Sequence, residues 1–328
     1  MRVGLIGDGV QSKRIQKILK KKNINFFLYK PSRPKYFNLH EFEKIQKCNV
    51  IFIFTPNNTH YDYIKKLKKN RYIFCEKPPS SSLKELNNLK KINSKKIYYN
   101  YNYRFSTISE ILEKKNKYKL GKLIYANIIA AHGLALKSNY KKNWRSDFKK
   151  CPKGVYEVVS VHFLDLINFH FDIEVIKKPK LINHSGVGNS FDTSSVELML
   201  KNKASINISS TYNSPLSLRS FFLFDNGIVE QQDNKISVSG PAMNLDSKGF
   251  FKTPKTIKIV KINEKTDYEN SLKKSVNFFL NHVKKNKTFN RKLVKKSLES
   301  SFLIFKKNYF YKYDKKANSR FHKVIDKL

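Results

Sequence analysis

The stretch Val3-Gly4-Leu5-Ile6-Gly7-Asp8-Gly9-Val10-Gln11-Ser12 opens the chain with a short apolar run and a glycine turn. The following residues repeat apolar side chains at Ile15, Ile18 and Leu19, which indicates one face of a helix. A strand, a glycine turn and a helix in this order favour a dinucleotide-binding domain, where the pyrophosphate lies on the helix N-terminus. The alternative is an ordinary turn between a strand and a helix. The predicted cofactor contacts in this turn are Gly7, Gly9, Val10 and Ser12.

Short apolar runs alternate with helical patterns up to about residue 118, and the pattern then changes. The alternation predicts crossover units and a doubly wound parallel sheet in an α/β fold, so residues 1–118 are expected to form the dinucleotide-binding domain. Longer alternating runs and a hairpin turn at Asp225-Asn226-Gly227 predict an α+β domain with a largely antiparallel sheet at residues 119–328. The tail from Lys315 to Leu328 carries apolar residues and could dock as a helix.

The chain carries 66 basic and 25 acidic residues, a formal net charge of +41. Taken alone, this charge suggests nucleic acid or an anionic surface as a partner. Yet only nine of the basic residues are arginine, the side chain used most for bidentate base and phosphate contacts, and 57 lysines are spread along the chain. We therefore expect no dedicated nucleic-acid partner. The positive field then reflects either compositional drift or attraction of phosphorylated ligands.

Apolar runs and cysteines bear on the compartment. No apolar run reaches the roughly 18–20 residues of a membrane helix, and the N-terminal run looks more like a buried strand than a signal peptide. Cys48, Cys75 and Cys151 have neither metal-ligand nor disulfide spacing. These features predict a cytoplasmic protein without a membrane span and without a metal site.

The second predicted strand leads into Tyr29-Lys30-Pro31-Ser32-Arg33, where a carboxylate would normally bind the ribose hydroxyls of NAD. This segment contains no acidic residue. Lys30, Ser32 and Arg33 instead suit a 2′-phosphate, so the sequence favours NADP. The alternative is that the three are solvated loop residues in a lysine-rich chain.

Polar residues follow the third strand in the segment Thr55-Pro56-Asn57-Asn58-Thr59-His60. Ligands of an open parallel sheet bind outside the carboxyl ends of its strands, so this segment is expected to lie over the cofactor. Asn58 or Thr59 could equally cap a helix. The fourth strand leads into Glu76-Lys77-Pro78, which places a cation at the same edge of the sheet. The predicted cofactor contacts after the third strand are Thr55, Pro56, Asn57, Asn58 and His60.

Together these segments resemble the glucose–fructose oxidoreductase, inositol dehydrogenase and rhizopine-catabolism family of NAD(P)-dependent oxidoreductases. The resemblance covers about residues 1–170. It implies a Rossmann domain followed by a substrate-binding domain whose open sheet makes the contact in an oligomer, here a homodimer or a homotetramer. The matching segments, in family order, are Gly7-Asp8-Gly9, Thr55 to His60, Glu76-Lys77-Pro78, Tyr103-Arg104-Phe105, Leu120-Gly121-Lys122-Leu123, Trp144-Arg145-Ser146-Asp147, and Gly154 followed by His162-Phe163-Leu164-Asp165.

The resemblance also implies roles for individual residues. Lys77 would lie beside the nicotinamide and the substrate, Glu76 would lie near the cofactor, and Pro78 would hold the turn through a cis bond. His162 would be the general acid or base, the alternative being a core histidine. Asp165, three residues on, would orient the imidazole or support the fold. The predicted substrate contacts are Arg104, Trp144, Arg145 and Asp165.

One departure from the family concerns the position four residues before His162. Many relatives carry an aspartate there, whereas this chain has Val158. Glu157 is one residue away and would point elsewhere on an α-helix. We therefore expect Lys77 and His162 to act as a pair without a third acidic group, and a changed activity stays open. The histidines expected to have no role in the site are His132, His170 and His184.

The sequence thus predicts an NAD(P)-dependent dehydrogenase or reductase acting on CH–OH groups. The expected substrate is a sugar, a cyclitol or a nucleotide-linked sugar, and a role in making surface glycans would be one step further. Two alternatives remain. One is a relative that binds the dinucleotide but performs redox-assisted elimination or imine reduction, and the other is a basic nucleic-acid-binding protein.

Overall fold

The computed structural model describes residues 1–31, 39–92, 95–232, 234–240, 245–305 and 309–310. Its first sheet consists of five strands, which are β1 (Val3–Ile6), β2 (Phe26–Tyr29), β3 (Val50–Ile53), β4 (Tyr72–Glu76) and β5 (Ile97–Asn100). All neighbours pair in parallel, in the order β2-β1-β3-β4-β5. The predicted doubly wound parallel sheet is therefore confirmed, and its winding reverses between β1 and β3.

Helices surround the first sheet, namely α1 (Val10–Lys20), α2 (Leu39–Gln46), α3 (His60–Leu67), α4 (Leu83–Ile92) and α5 (Thr107–Glu113). Every residue of β1 and β3 is buried, as expected for a parallel sheet covered on both faces. The sequence pattern does not predict α5. This helix begins after Ser106, whose side chain accepts a hydrogen bond from the backbone N–H of Ser109.

The second sheet has ten strands among the described residues, which are β6 (Leu123–Ala131), β7 (Ile173–Ile176), β8 (Lys180–Ile182), β9 (Thr193–Leu200), β10 (Ser205–Thr211), β11 (Ser217–Phe224), β12 (Gly227–Gln232), β13 (Lys235–Ser239), β14 (Thr256–Lys261) and β15 (Tyr309–Phe310). β6 and β10 pair in parallel, and the other neighbouring strands pair antiparallel. The predicted largely antiparallel sheet is confirmed. The predicted hairpin is also present, because Phe224 pairs with Gly227 across the turn.

One face of the second sheet is covered and the other is open. On the covered face, Ile206 and Ile208 of β10 share a core with helices α6 (Val161–His170) and α8 (Arg291–Phe305). The open face leaves large apolar side chains in solvent. Ile129 of β6 is 39% exposed, and Ile257 and Ile259 of β14 are 46% and 60% exposed.

Helix α7 (Glu264–Lys284) follows the second sheet along the chain but packs against the first. Its buried Val276 and Phe279 lie in one apolar cluster with Phe52 of β3 and Phe74 of β4. The predicted domain boundary between residues 118 and 119 stays a prediction. Helix α7 lies after this boundary in the sequence, but it covers the first sheet, whose strands lie before it.

Three further observations concern expectations about compartment and tail. None of the helices in the described ranges is long and apolar enough to cross a membrane. The thiols of Cys48, Cys75 and Cys151 are buried and free. The predicted tail helix, Lys315 to Leu328, lies outside the described residues.

We expect Phe279→Ala to lower the free energy of unfolding by about 3–5 kcal/mol, because a fully buried aromatic side chain leaves a cavity when truncated. The Phe279 ring lies 5.2 Å from the ring of Phe52 and 5.3 Å from that of Phe74, centre to centre. Urea unfolding followed by circular dichroism measures the change. Phe250, which is 68% exposed, provides the control Phe250→Ala, with an expected change below about 0.5 kcal/mol. Equal effects in the two variants would show that α7 does not stabilise the first sheet.

Candidate functional site

The glycine turn after β1 combines a strained position with an open one. Gly7 has a φ of +101°, and a Cβ atom there would lie 2.6 Å from the carbonyl oxygen of Phe54, so only glycine fits. A Cβ atom on Gly9 would meet nothing within 4 Å. The fold therefore requires the first glycine, whereas the second leaves space at the start of α1.

The N-terminus of α1 has the features of an anion-binding site. Gly9 is its N-cap and offers no side-chain cap, and the first turn contains no acidic residue within this fully described segment. The first N–H groups of a helix lack partners in the helix and carry partial positive charge, so they bind phosphate well. Val10 is 70% exposed at the helix start, and buried Ser12 accepts a hydrogen bond from Gln16. The turn fits the pyrophosphate of a dinucleotide.

The segment after β3 lies at the same edge of the sheet. Asn57 is buried, and its Nδ2 atom has no partner among the described residues. Thr59 donates hydrogen bonds to the Thr55 hydroxyl and to the carbonyl of Pro56, which fixes the turn. Pro56 and Asn58 are exposed. An unpaired buried amide next to the glycine turn is compatible with a cofactor contact.

Both ring nitrogens of His60 lie within hydrogen-bond distance of backbone carbonyls, and its predicted cofactor contact stays a prediction. The imidazole is fully buried, with Nδ1 2.8 Å from the carbonyl oxygen of Pro78 and Nε2 2.8 Å from that of Thr55. Burial lowers the pKa of His60, so the ring is neutral at pH 7 and donates its one N–H to one carbonyl at a time. The side chain thus connects the chain beyond β3 with the chain beyond β4.

Lys30, directly after β2, forms an ion pair with Asp8. The Nζ atom of Lys30 lies 3.3 Å from a carboxylate oxygen of Asp8, and both side chains are about one-third exposed. No acidic residue lies near residue 30 in the sequence, but parallel pairing of β1 and β2 brings Asp8 there. Ser32 and Arg33, predicted to bind the 2′-phosphate, lie outside the described residues.

The carboxylate of Glu76 is bound within the protein. It accepts hydrogen bonds from Asn100 at 2.6 Å and from Gln11 at 3.2 Å, and burial raises its pKa. The side-chain oxygen of Gln11 in turn accepts a hydrogen bond from the hydroxyl of Tyr268 in α7. Glu76 therefore ties β4 to β5 and to the start of α1.

Lys77 stands between the two halves of the chain. The Lys77–Pro78 peptide bond is cis, as predicted. The Lys77 side chain is half-buried, and its Nζ atom donates a hydrogen bond to the carbonyl of Val158. Burial lowers the pKa of Lys77 to about 7, with Glu76 and Glu157 opposing the shift and Arg145 adding to it. An amine of this kind exchanges its proton near neutral pH.

His162 lies in the first turn of α6, close to Lys77. Its ring is half-buried, with its centre 4.7 Å from that of Tyr103, and its Nδ1 atom has no partner among the described residues. Burial, together with the charge of Lys77, lowers the pKa of His162 well below its usual value. The imidazole is therefore neutral at pH 7, and it lies near enough to Lys77 to feel its charge, while the predicted catalytic pairing stays a prediction.

The prediction that Glu157 points away from the site is wrong. Residues Tyr156–Ser160 form a π-helical turn, and the N–H of Val161 bonds to the carbonyl of Tyr156, five residues earlier. A π-turn holds one residue more than an α-turn, so the register shifts by one position. Glu157 consequently turns inward, where it is fully buried and acts electrostatically on Lys77. Val158 instead offers its carbonyl to Lys77.

Arg104 and Asp165, both predicted to contact the substrate, bind each other in the structure, and the substrate contact stays a prediction. Two hydrogen bonds, of 2.6 and 2.7 Å, join the guanidinium to the carboxylate. Only 3% of the Arg104 side chain and none of the Asp165 side chain is exposed. Asp165 therefore does not orient His162, and the pair connects the chain after β5 with α6.

The loop after β6 brings a second cation to the site. The guanidinium of Arg145 lies 4.5 Å from the ring centre of Trp144, and both side chains are half-buried. His132, expected to have no role in the site, lies near Arg145 and Lys77, and their charges add to burial in lowering its pKa. Its ring centre is 4.8 Å from that of Tyr212. The sequence carries no spacing signal for His132 or Tyr212, because separate strands position them.

Two buried tyrosine hydroxyls border the same region. The hydroxyl groups of Tyr140 and Tyr212 have no partner among the described residues. Their rings lie 6.2 Å apart, and Arg145 and Cys151 act electrostatically on both. Buried hydroxyl groups are normally hydrogen-bonded, so these two are available to a polar ligand or water. In the parts of the chain that the structure describes, no three histidine, cysteine or acidic side chains gather as metal ligands.

Residues 2–99 match the sequence model of the GFO/IDH/MocA family, described as an oxidoreductase family with an NAD-binding Rossmann fold. The resemblance inferred from the sequence motifs is thereby confirmed. A search of curated protein sequences finds no match.

Solved structures share the fold over nearly the whole chain. A myo-inositol dehydrogenase from Corynebacterium glutamicum is 15% identical, with a TM-score of 0.70 over 96% of this chain and 99% of that chain. An oxidoreductase from Thermotoga maritima is 17% identical, with a TM-score of 0.74 over 94% and 98%. A levoglucosan dehydrogenase in complex with NADH and levoglucosan is 12% identical, with a TM-score of 0.76 over 93% and 95%.

The two glycines of the turn allow a matched test of dinucleotide binding. We expect Gly9→Ala to leave the free energy of unfolding unchanged and to weaken binding, because its methyl group enters only the open space at the start of α1. We expect Gly7→Ala to lower that free energy by about 1–3 kcal/mol through backbone strain. Fluorescence titration with NADH and urea unfolding measure the two effects. Wild-type affinity in Gly9→Ala would mean that the pyrophosphate does not lie on this turn.

Proposed function

We propose, taking the family match of residues 2–99 as the premise, that the protein is an NAD(P)-dependent oxidoreductase acting on a ring CH–OH group of a sugar, a cyclitol or a nucleotide-linked sugar. The observation that carries this proposal is the position of Lys77. Its amine exchanges a proton near neutral pH, and it leaves the sheet at the same edge as the glycine turn, with His162 and Arg145 nearby.

The reaction requires a proton acceptor in the protein. When an alcohol becomes a carbonyl, its carbon loses a hydride, which bound nicotinamide takes up with both electrons, and its hydroxyl loses a proton. Neutral Lys77 accepts that proton, since it donates one N–H to the carbonyl of Val158 and keeps its lone pair free. In the reverse direction, the ammonium returns the proton to the carbonyl oxygen.

His162 and Arg145 position the substrate in this proposal. The sequence assigned the proton transfer to His162, but its pKa lies well below the usual value, so the imidazolium is unfavourable there. A neutral imidazole still forms a hydrogen bond with a substrate hydroxyl. Arg145, held over Trp144, supplies a fixed positive charge. We therefore assign proton transfer to Lys77 and substrate positioning to His162 and Arg145.

The neighbouring structures and the charges support the substrate class. The names of two structural neighbours specify myo-inositol and levoglucosan, both polyhydroxylated rings. Unpaired hydroxyl groups on Tyr140 and Tyr212 suit a ligand with several hydroxyls. Arg145 next to Lys77, in a chain of net charge +41, favours an anionic member of this class such as a nucleotide sugar or a uronic acid. A role in surface glycan synthesis is consistent with such a substrate.

The cofactor proposal includes both nicotinamide dinucleotides, with a preference for NADP as the sequence predicts. Lys30 supplies a cation for a 2′-phosphate, while Asp8 partly neutralises that cation and offers a carboxylate to the ribose hydroxyls. Running the NADH titrations beside NADPH measures the preference.

The assembly proposal concerns the open face of the second sheet. Ile129, Ile257 and Ile259 present an apolar surface of the kind that marks protein contacts. We propose a homodimer or homotetramer formed through this face, in a reducing compartment such as the cytoplasm, where three buried free cysteines remain thiols.

Lys77→Ala should reduce turnover by about 10²–10⁴-fold while dinucleotide affinity stays within about twofold of wild type, because the variant removes the proton acceptor and leaves the glycine turn unchanged. Absorbance of the reduced nicotinamide, over a panel of sugars, cyclitols and uronates, identifies the substrate and measures the rate. Lys84→Ala, an exposed lysine on α4, is the control and should be unaffected. Near-normal turnover in Lys77→Ala would exclude Lys77 as the proton acceptor.

Sedimentation velocity tests the assembly proposal. Ile259→Glu places a charge in the proposed contact, so we expect a shift towards a smaller species at micromolar concentration. Phe250→Glu changes an equally exposed apolar residue outside the sheet and should leave the distribution unchanged. A monomeric wild-type protein, or identical distributions for the two variants, contradicts the proposed interface.

A further inference from the structure

We propose that Glu157 is the proton-holding partner of Lys77, brought to the lysine by the π-helical turn at Tyr156–Ser160. The inference rests on the proposed function for its catalytic meaning, but the pairing itself can be tested without turnover. Glu157 acts through Lys77 and is therefore a positioning residue. The sequence alone excluded it, since an unbroken α-helix would direct it elsewhere.

The carboxyl group of Glu157 is buried and incompletely bonded. None of the residue is exposed to solvent. One oxygen accepts a long hydrogen bond, 3.4 Å, from the backbone N–H of Lys153, and the other has no partner among the described residues. A buried carboxylate with one unpaired oxygen is unfavourable unless a cation stands nearby or the group takes up a proton.

The hydrogen bond from Lys77 fixes where that cation stands. Its Nζ atom donates a hydrogen bond to the carbonyl of Val158, the residue directly after Glu157. The amine therefore lies against the same π-turn that carries the Glu157 carboxyl group. In an α-helical register Glu157 would be rotated away from this turn. The extra residue of the π-turn leaves the Val158 carbonyl bound to Lys77 and turns the Glu157 side chain into the interior, where its charge acts on the lysine.

The other groups that face the pair are few and can be named. Glu157 is surrounded by the thiol of Cys151, the backbone of Lys153 and the hydroxyl of Tyr212. The groups that act on Lys77 are Glu76, Arg145, Cys151, Glu157, His60, His132 and His162. Of these, Glu76 is bound to Asn100 and Gln11, and burial raises the pKa of Cys151 far above neutrality. Glu76 is the stronger of the two acidic influences on Lys77, whereas Glu157 is the one with a fully buried oxygen, Oε2, that has no hydrogen-bond partner among the described residues.

Proton affinities within the pair are balanced. Burial raises the pKa of Glu157 to about 7, and the charge of Lys77 opposes that rise. Burial lowers the pKa of Lys77 to about 7, and the charge of Glu157 opposes that fall. At neutral pH the two groups therefore hold about one proton between them. The form that accepts the substrate proton is neutral Lys77 beside ionised Glu157; the proton converts the amine to an ammonium, and the carboxylate stabilises that ammonium as its counter-charge.

Infrared difference spectroscopy across pH tests the pairing in the resting protein. We expect a carboxylic-acid band with a midpoint near pH 7, where exposed carboxyl groups are already ionised. The band should vanish in Glu157→Gln and persist in the control Glu269→Gln, which changes an exposed glutamate. In Lys77→Met the midpoint should rise, because the cation that favours the ionised carboxylate is gone. A band unchanged in Glu157→Gln, or a midpoint unchanged in Lys77→Met, overturns the pairing.

The pH profile of kcat/KM for alcohol oxidation tests the catalytic meaning. The rate should rise with pH through the pKa of Lys77, since the neutral amine is the acceptor. Removing the Glu157 charge lowers that pKa, so the midpoint should move to lower pH in Glu157→Gln and return towards wild type in Glu157→Asp. A purely structural role for Glu157 would lower stability or rate without moving the midpoint, and that result would overturn the inference.

The infrared and kinetic experiments distinguish failure of the proposed function from failure of the Lys77–Glu157 pairing. If no sugar or cyclitol is oxidised but the infrared band responds to both variants, the proposed function fails and the pairing stands. If turnover depends on Lys77 but the infrared band and the pH midpoint are unchanged in Glu157→Gln, the proposed function stands and the pairing fails.

Discussion

Parallel pairing of β1, β3 and β4 determines where the glycine turn, the segment after β3 and Lys77 lie. Ile6 pairs with Ile53, and Ile53 pairs with Cys75, so the three strands end at one edge of the sheet. The glycine turn, the segment after β3 and Lys77 leave the sheet together at this edge. The side chains of His60 and Glu76 then tie the neighbouring strand ends to each other. A site assembled in this way depends on sheet register more than on any single loop.

The protein handles buried charge in two different ways. Arg104 and Asp165 form a bidentate pair in which both partners are satisfied, and such a pair fixes the packing of α6. Lys77 and Glu157 are buried with fewer bonds, so neither ionised form is strongly favoured. Incomplete pairing is unfavourable for stability, but it keeps a proton equilibrium within the range in which acid–base chemistry operates.

The sequence predicts both sheets well wherever its signals are local. Apolar runs, the glycine turn and the hairpin at Asp225-Asn226 each fix the backbone within a few residues, and all three are found. Sequence motifs also predict the pairing of Lys77 with His162. Local signals say less where a distant element decides. Arg104 and Asp165, predicted as ligand contacts, satisfy each other in the structure, and the loop carboxylate of Asp8 reaches Lys30 only through the pairing of two strands.

The π-turn illustrates a second limit. The apolar residues from Val155 to Val161 suit an unbroken helix equally well, so nothing in the pattern shows that one extra residue is accommodated. A shift of one residue reverses the conclusion about Glu157. Sequence spacing on a helix therefore predicts a site reliably only when the hydrogen-bond register of that helix is known.

Helix α7 has a consequence for how the chain is made. The aromatic face of the first sheet, Phe52 and Phe74, is covered by Phe279, which lies more than 200 residues later in the sequence. A ribosome that has synthesised all five strands of this sheet has not yet made the helix that covers them. The nascent first half must therefore keep an apolar surface exposed until Phe279 has been synthesised, which makes this stage the one most open to chaperones and to aggregation.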